Sequence, residues 1–357
     1  MHAAFILPNM GAGGTERVTL DLMAGFLARG ARVDLVLMER WGEFLDQVPA
    51  EVRVIELGAP RLRQAITPLR RYFRSEKPDA ALAAMWPLTT ATVLAAAGLR
   101  PRPRIVLADH APLLDQYADN QGTLASLRAT VRLSYRFADA IVCASEGLAG
   151  EMAALAGLPR GRVSTVYNPI PEPPRSAGAP SPWPAGPGKR ILSAGRLKLV
   201  KNFALLVEAF APIAAEQDAT LAILGEGEER GALEAQIARL GLQGRVLLPG
   251  YTATPGDWYR EADLFALASD YEGLGNVMVE AMHFGAAVVA TDCRYGPREV
   301  LGGGRWGHLV PCGDAAALTG AMRAALAEPG DRAARIARAR DFGLDPAVEA
   351  YWQAMSG

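Results

Sequence analysis

Two α/β domains, each a parallel sheet covered by helices, are predicted from three observations. Strand-length apolar runs alternate with helix-length amphipathic segments from the first residues. That rhythm stops over residues 168–188, NPIPEPPRSAGAPSPWPAGPG, where proline, glycine and serine are too dense for helix or strand to persist. It then restarts and fills the second half of the chain. The expected division is residues 1–170, a linker 171–188, a second domain 189–340, and a closing segment 341–357 that is free to pack back on the first domain. Such Rossmann-like sheets bind ligands beyond the carboxyl ends of their strands. A cleft between two facing domains is therefore the expected site.

The elements follow in order. AFIL reads as the first strand, TERVTLDLMAGFLARG as the helix that leaves it, and RVDLVLM as the second strand. Residues 80–99, AALAAMWPLTTATVLAAAGL, are uncharged and long enough to span a bilayer. With Pro87 in the middle, they read instead as a buried strand (80–85) and a helix (88–97). RIVLA and DAIVCA are further strands, and SEGLAGEMAALAG is a helix. Past the linker come strand RILSAG, helix FALLVEAFAPIAAEQ, strand ATLAILG and helix ERGALEAQIARLG. Strands RVLLPG and DLFALAS, helix VMVEAMHFG and strand AAVVAT complete the pattern.

Bulk composition excludes several classes. A chain of 357 residues with 50% apolar and 21% charged residues is an ordinary globular mixture. A net charge of -1 gives a nucleic acid no basic surface to bind. Cys143, Cys293 and Cys312 form no C-x-x-C, so neither a disulfide framework nor a thiolate metal site is expected, and a reducing, cytoplasmic compartment fits. The opening MHAAFILPNMGAGG lacks a basic leader and a cleavage site, so no signal peptide is expected.

The glycine cluster MGAGGTERV follows a strand and opens a helix, where backbone amides can meet an anion. It is no dinucleotide fingerprint, because Glu16 stands where G-x-G-x-x-G needs glycine; GEGEER at 225–230 fails likewise at Arg230. In SAGRLKLVKNF, Arg196 and Lys201 project from the loop before a helix capped by Asn202. Two cations beside a helix start suit a phosphate or, equally, solvent. No D-x-D pair occurs, so a metal-held diphosphate lacks its usual ligands.

DYEGLGNVMVE places Glu272 before a helix and Glu280 within it, with Asn276 the expected N-cap of a helix beginning at Val277. The two carboxylates share no helical face, so an acid and base pair is not expected. Hydroxyl-binding carboxylates on either side of an anion-binding helix start fit better, against a background of plain surface glutamates. His110 lies just past a strand of the first domain, and Asp109 is placed either to orient it or to cap the next segment. Residues 61–77, RLRQAITPLRRYFRSEK, hold six basic residues and one acidic one among apolar positions. They fit an anionic membrane surface or a solvated helix face equally.

Together, GGTERV, DHAPL, YNPI, SAGRLKLVKNFALLVEAF, LAILGEGEER, VLLPGY, YEGLGNVMVEAM, TDCRYGPREVL and GHLVPCGD resemble, in order and spacing, the retaining nucleotide-sugar glycosyltransferases of the GT-B fold, family 4 (group 1). The resemblance implies that Arg196 and Lys201 bind the donor diphosphate and Glu280 the ribose. It puts Glu272 at the transferred sugar, with Gly273 beside it and the amides of Leu274, Gly275 and Asn276 near sugar and phosphate. Gly13 and Gly14 would let the acceptor-side loop approach the diphosphate, and His110 would face the reacting sugar. The usual E-G-F-G reads Glu-Gly-Leu-Gly here, which leaves the sugar open. The implied reaction is metal-independent hexosyl transfer from a nucleotide-diphosphate sugar, UDP-sugar foremost, to a glycan or lipid-linked acceptor, without cofactor. It would serve cell-surface polysaccharide or glycolipid synthesis at the inner face of the membrane. A nucleotide-sugar epimerase of the same fold and a non-catalytic nucleotide-sugar binding protein are the rival readings.

Overall fold

In the computed structural model of the protein, residues 1–11, 13–176, 178 and 180–357 are described. They form two compact units, residues 1–169 with 343–357, and residues 170–342. The first holds a seven-stranded sheet of β1 (His2–Leu7), β2 (Arg32–Leu37), β3 (Arg53–Glu56), β4 (Ala80–Ala84), β5 (Arg104–Asp109), β6 (Ala140–Cys143) and β7 (Val163–Thr165). Its order is β3-β2-β1-β4-β5-β6-β7, all pairs parallel. The second holds β8 (Lys189–Ala194), β9 (Ala219–Leu224), β10 (Val246–Gly250), β11 (Leu264–Leu267), β12 (Ala287–Thr291) and β13 (His308–Val310), again parallel, in the order β10-β9-β8-β11-β12-β13.

Parallel strands need crossover helices, which cover both faces of the sheet. This is why the central strands read as unbroken apolar runs: Ala3 to Leu7 of β1 and all of β4, β11 and β12 are buried. The uncharged stretch 80–99 is β4 followed by the helix Leu88–Ala96, as expected. Among the described residues, no helix is long and apolar enough to cross a membrane.

The closing helix Leu344–Ser356 belongs to the first unit. Val348, Tyr351 and Met355 enter that unit's core, Trp352 meets Phe26 with ring centroids 5.2 Å apart, and Arg104 Nε donates to the Ala354 carbonyl at 2.7 Å.

Residues 171–188 form neither helix nor strand where described, yet they are no free linker. Apart from Ala177 and Ala179, which lie outside the described residues, they belong to the second unit. Trp183 is buried with its ring 5.0 Å from Trp258, and its Nε1 donates to the Trp258 carbonyl at 3.1 Å. The Ser176 amide donates to both oxygens of Asp257, at 3.1 and 3.2 Å. Side-chain anchors replace the ladder that proline denies this segment.

Asn202 caps the helix Phe203–Glu216, as predicted, with its Oδ1 accepting from Leu205 N at 3.3 Å and its Nδ2 donating to Asp270 at 3.0 Å. It sits at φ +47°, a left-handed conformation that asparagine tolerates. Asn202→Ala removes the cap and strains the turn, so denaturant unfolding should show a loss of about 2 kcal/mol.

Candidate functional site

The candidate residues fall into a set in each unit. In the second unit, β8 runs into Gly195 at φ +152°, and the chain turns through Arg196 to the 3-10 turn Leu199–Lys201. This loop rests on the GEGEER loop. Leu197 N donates to Glu226 O at 2.8 Å, and a Cβ on Gly225 would stand 2.1 Å from the Gly195 carbonyl oxygen. The failed fingerprint thus has a packing role: its first glycine lets two backbones touch below the cationic loop. Arg196 is exposed, with Nε 3.7 Å from Glu228, so its guanidinium is lightly held.

Lys201 is held more firmly. Its Nζ donates to Glu272 Oε1 at 2.7 Å, and Ser269 Oγ donates to the same oxygen at 2.7 Å. Glu272 and Ser269 are both buried, and Thr291 Oγ1 donates to the Ser269 carbonyl at 2.6 Å. Two donors on Oε1 fix the carboxylate and leave Oε2 as its acceptor for anything else.

The helix after this loop is Asn276–His283, which starts one residue earlier than predicted and ends two earlier, and its N-cap is Gly275 rather than Asn276. Gly275 has φ +86°, which turns the chain into the helix without a capping side chain. Asn276 is the first helical residue and Leu274 is buried. Gly273 sits between Glu272 and Leu274 on the half-buried rim of the loop. Glu280, half-buried, accepts from Tyr259 OH through Oε2 at 2.8 Å. Burial pushes the Tyr259 hydroxyl well above its usual range, and the Glu280 charge adds to this, so tyrosine is the fixed donor in the pair. Glu272 and Glu280 therefore have separate anchors, and neither is paired to the other through those bonds.

In the first unit, Gly13 is the N-cap of the helix Gly14–Ala28 and has no side chain to satisfy its amides; the neighbouring Ala12 lies outside the described residues. A Cβ on Gly13 would meet Glu16 Oε2 at 2.3 Å, whereas Gly14 faces open space. Glu16 is buried behind the loop, and that burial raises its pKa.

His110 follows β5 and is half-buried. Its Nδ1 lies 2.8 Å from Oδ1 of the buried Asn168. An amide oxygen only accepts, so Nδ1 carries the proton and Nε2 keeps its lone pair. Burial lowers the His110 pKa more than Asn168 raises it, which favours the neutral ring. Asp109 neither orients His110 nor caps the next segment. It points into the core, where Tyr135 OH donates to its Oδ2 at 3.0 Å and its Oδ1 has no partner among the described residues. Burial pushes its pKa up to about 7.

The other histidines have structural partners or none to explain: His2 meets Asp34 at 2.8 Å, His283 meets the Ile170 carbonyl at 2.8 Å, and His308 is exposed. Sequence reasoning missed Ser269, Asn168 and Tyr259. Asn168 stands in YNPI and Ser269 three residues before Glu272, so a search for short polar residues flanking each candidate finds both. Tyr259, 21 residues from Glu280, leaves no local signal. Among the described residues, no group of three or more His, Cys, Asp or Glu side chains converges as a metal cage would.

The chain is similar over nearly its whole length to known glycosyltransferases. Residues 12–172 match the family described as Glycosyltransferase Family 4, and residues 188–328 match Glycosyl transferases group 1. The chain is 27% identical over 353 residues to the lipopolysaccharide core biosynthesis glycosyltransferase LpsE of Rhizobium meliloti, covering 96% of each. It is 43% identical over 122 residues to the N-acetylgalactosamine-N,N'-diacetylbacillosaminyl-diphospho-undecaprenol 4-alpha-N-acetylgalactosaminyltransferase of Campylobacter jejuni, a match spanning 34% of this chain and 33% of that protein. The crystal structure of Anabaena HepE in complex with UDP superimposes with a TM-score of 0.79 at 21% identity, covering all of both chains.

Proposed function

The chain belongs to the GT-B glycosyltransferases that join a family 4 N-terminal half to a group 1 C-terminal half, and from that premise we propose transfer, with retention and without a metal, from a nucleotide-diphosphate sugar to a glycan or lipid-linked acceptor. A UDP-sugar is the foremost donor, in line with the UDP and UDP-glucose complexes of the Anabaena neighbour. The names of the Rhizobium and Campylobacter relatives point to acceptors of the lipopolysaccharide and diphospho-undecaprenol classes.

One observation carries the reading: the cation Lys201, the fixed carboxylate Glu272 and the amide-rich start of helix Asn276–His283 lie on one connected loop system. Arg196 and Lys201 would bind the diphosphate, and the positive charge would stabilise it as it leaves. The amides of Leu274, Gly275 and Asn276 would add dipoles of the same sense. Glu280, held by Tyr259, would accept from the ribose hydroxyls, and the free Oε2 of Glu272 from a hydroxyl of the transferred sugar. Gly13 and Gly14 would give the acceptor-side loop close approach, and neutral His110 would offer Nε2 to the reacting sugar. With Oε1 of Glu272 doubly occupied, this carboxylate is built to position rather than to attack, and the acceptor enters on the face the diphosphate leaves. A lipid-linked acceptor, as the name of the Campylobacter relative suggests, would place this work at the inner membrane face.

The test is nucleotide release from a panel of nucleotide sugars, with and without acceptor. Release that depends on acceptor supports transfer; consumption without acceptor would instead indicate epimerisation, and ligand stabilisation without turnover a binding protein. Glu280→Ala should raise the donor KM by about 10- to 100-fold, the value of one buried charge-assisted hydrogen-bond set. Near-normal turnover in that variant would remove Glu280 from the donor site.

A further inference from the structure

An amphipathic helix can lie on a bilayer only if its apolar face is free. In this fold it is not. The basic segment forms the helix Leu62–Glu76, but Ala65, Leu69, Tyr72 and Phe73 are buried against its own unit, and only the basic face remains outside. Membrane contact must therefore draw its apolar part from elsewhere.

The topology supplies one place. In a parallel sheet the crossover helices run opposite to the strands, so their C-terminal ends gather at the edge where the strands begin. The helices Leu62–Glu76, Leu88–Ala96 and Gln121–Ser134 all end there, on the approaches to β4, β5 and β6. A cavity of about 310 Å³ opens at this edge, lined by Phe73, Arg74, Lys77, Leu99, Arg100 and Pro101. None of its three cations has a hydrogen bond or an ion pair among the described residues, and no carboxylate lines it. The nearby acids are already engaged: Glu76 with Arg53, and Asp139 with Arg102 at 2.8 Å. Cations at a helix C-terminus gain from its dipole, which accounts for Arg74 and Lys77 singly. It does not account for Arg100, which stands in a loop and adds a third like charge to the same cavity.

At the same edge, Leu94 is 50% exposed, Leu133 65% and Phe137 63%. The helix carrying Leu94 packs against both the helix carrying Leu133 and the turn carrying Phe137. Of the six large apolar side chains this exposed among the described residues, these three share one end of one unit.

We propose that this edge is an anionic-membrane docking surface, in which the Arg74/Lys77/Arg100 cavity takes a lipid phosphate while Leu94, Leu133 and Phe137 enter the interface. The proposal rests on the reading that the acceptor is met at a membrane, and it makes a geometric demand. The first unit's candidate residues, Gly13, Gly14 and His110, follow the other ends of its strands, so a six-residue strand of about 20 Å separates them from the lipid surface. The glycan end of a lipid-linked acceptor, rather than its lipid phosphate, would then be what the enzyme reaches.

Flotation of the full chain with vesicles tests this. Binding is expected to phosphatidylcholine vesicles containing 30% phosphatidylglycerol at low salt, and not to pure phosphatidylcholine. Each basic residue near such a surface contributes roughly fivefold in partitioning, so Arg74→Gln/Lys77→Gln/Arg100→Gln together should weaken binding about a hundredfold. Leu133→Ser/Phe137→Ser, both on the surface, should weaken it while leaving melting temperature unchanged. Arg61→Gln/Arg63→Gln/Arg71→Gln, on the outer face of the helix, should leave most binding intact. Failure of the unaltered chain to float, or a larger loss from the outer-face set than from the cavity set, would overturn the proposal. Donor turnover measured on a water-soluble acceptor in the same preparations separates that failure from a failure of the glycosyltransferase reading.

Discussion

Lys201→Ala should lower kcat about a thousandfold while leaving the unfolding transition in place. The residue is exposed enough to be truncated without opening the core, and on the proposed reading its loss removes one preorganised charge from the leaving diphosphate, a change that costs 10²- to 10³-fold in comparable sites. It also frees Glu272, which keeps only Ser269 as a donor and adds an unneutralised negative charge beside the phosphates. The two effects act in the same direction, which is why the upper end is expected. Steady-state kinetics with circular dichroism as the folding control decides it. Turnover within tenfold of the parent would show that the diphosphate lies elsewhere.

The second large effect concerns stability. Asp109 keeps its proton to about pH 7 in the folded chain, because burial penalises its charged form, while an exposed aspartate ionises near pH 4. Between those values the folded chain holds a proton that the unfolded chain has released. Stability therefore falls as pH rises through this window, by up to about 4 kcal/mol, and levels off above it. Asp109→Asn cannot ionise, and its amide oxygen can still accept from Tyr135. Thermal melts should find the variant close to the parent at pH 4.5 and well above it at pH 8. Parallel melting of the two proteins across that range would show that Asp109 does not titrate in the core.

The sheets were readable because parallel strands are covered on both faces, so AFIL, AALAA and AAVVA announce themselves as unbroken apolar runs. The cationic loop and the spacing of Glu272 and Glu280 were readable because local backbone punctuation, glycine and Asn202, brackets them. What pairs with what was not. Lys201 and Glu272, each assigned to a different part of a donor, bind one another across 71 residues. Asn168 rather than the adjacent Asp109 orients His110, since strand alternation turns neighbours to opposite sides. The cap of the last site helix shifted to Gly275 because a left-handed glycine ends the loop without needing a side chain. Proline and glycine content correctly denied residues 171–188 a helix or strand, but composition is silent on Trp183 finding Trp258.

The Lys201–Glu272 pair also sets what the second unit's cationic loop offers to an approaching ion. Its half-buried cation Lys201 is already neutralised, and Arg196 is partly balanced by Glu228, so the loop projects little positive field into solution. A small inorganic anion gains too little to break that pair. On the proposed reading a nucleotide sugar meets both partners at once, its diphosphate beside Lys201 and a sugar hydroxyl on the Glu272 Oε2 that the pair leaves open. The pair thus acts as a selectivity filter: inorganic phosphate and pyrophosphate should be poor inhibitors, and donor KM should change little between 50 and 300 mM salt, where an open cationic pocket would lose much of its attraction to screening.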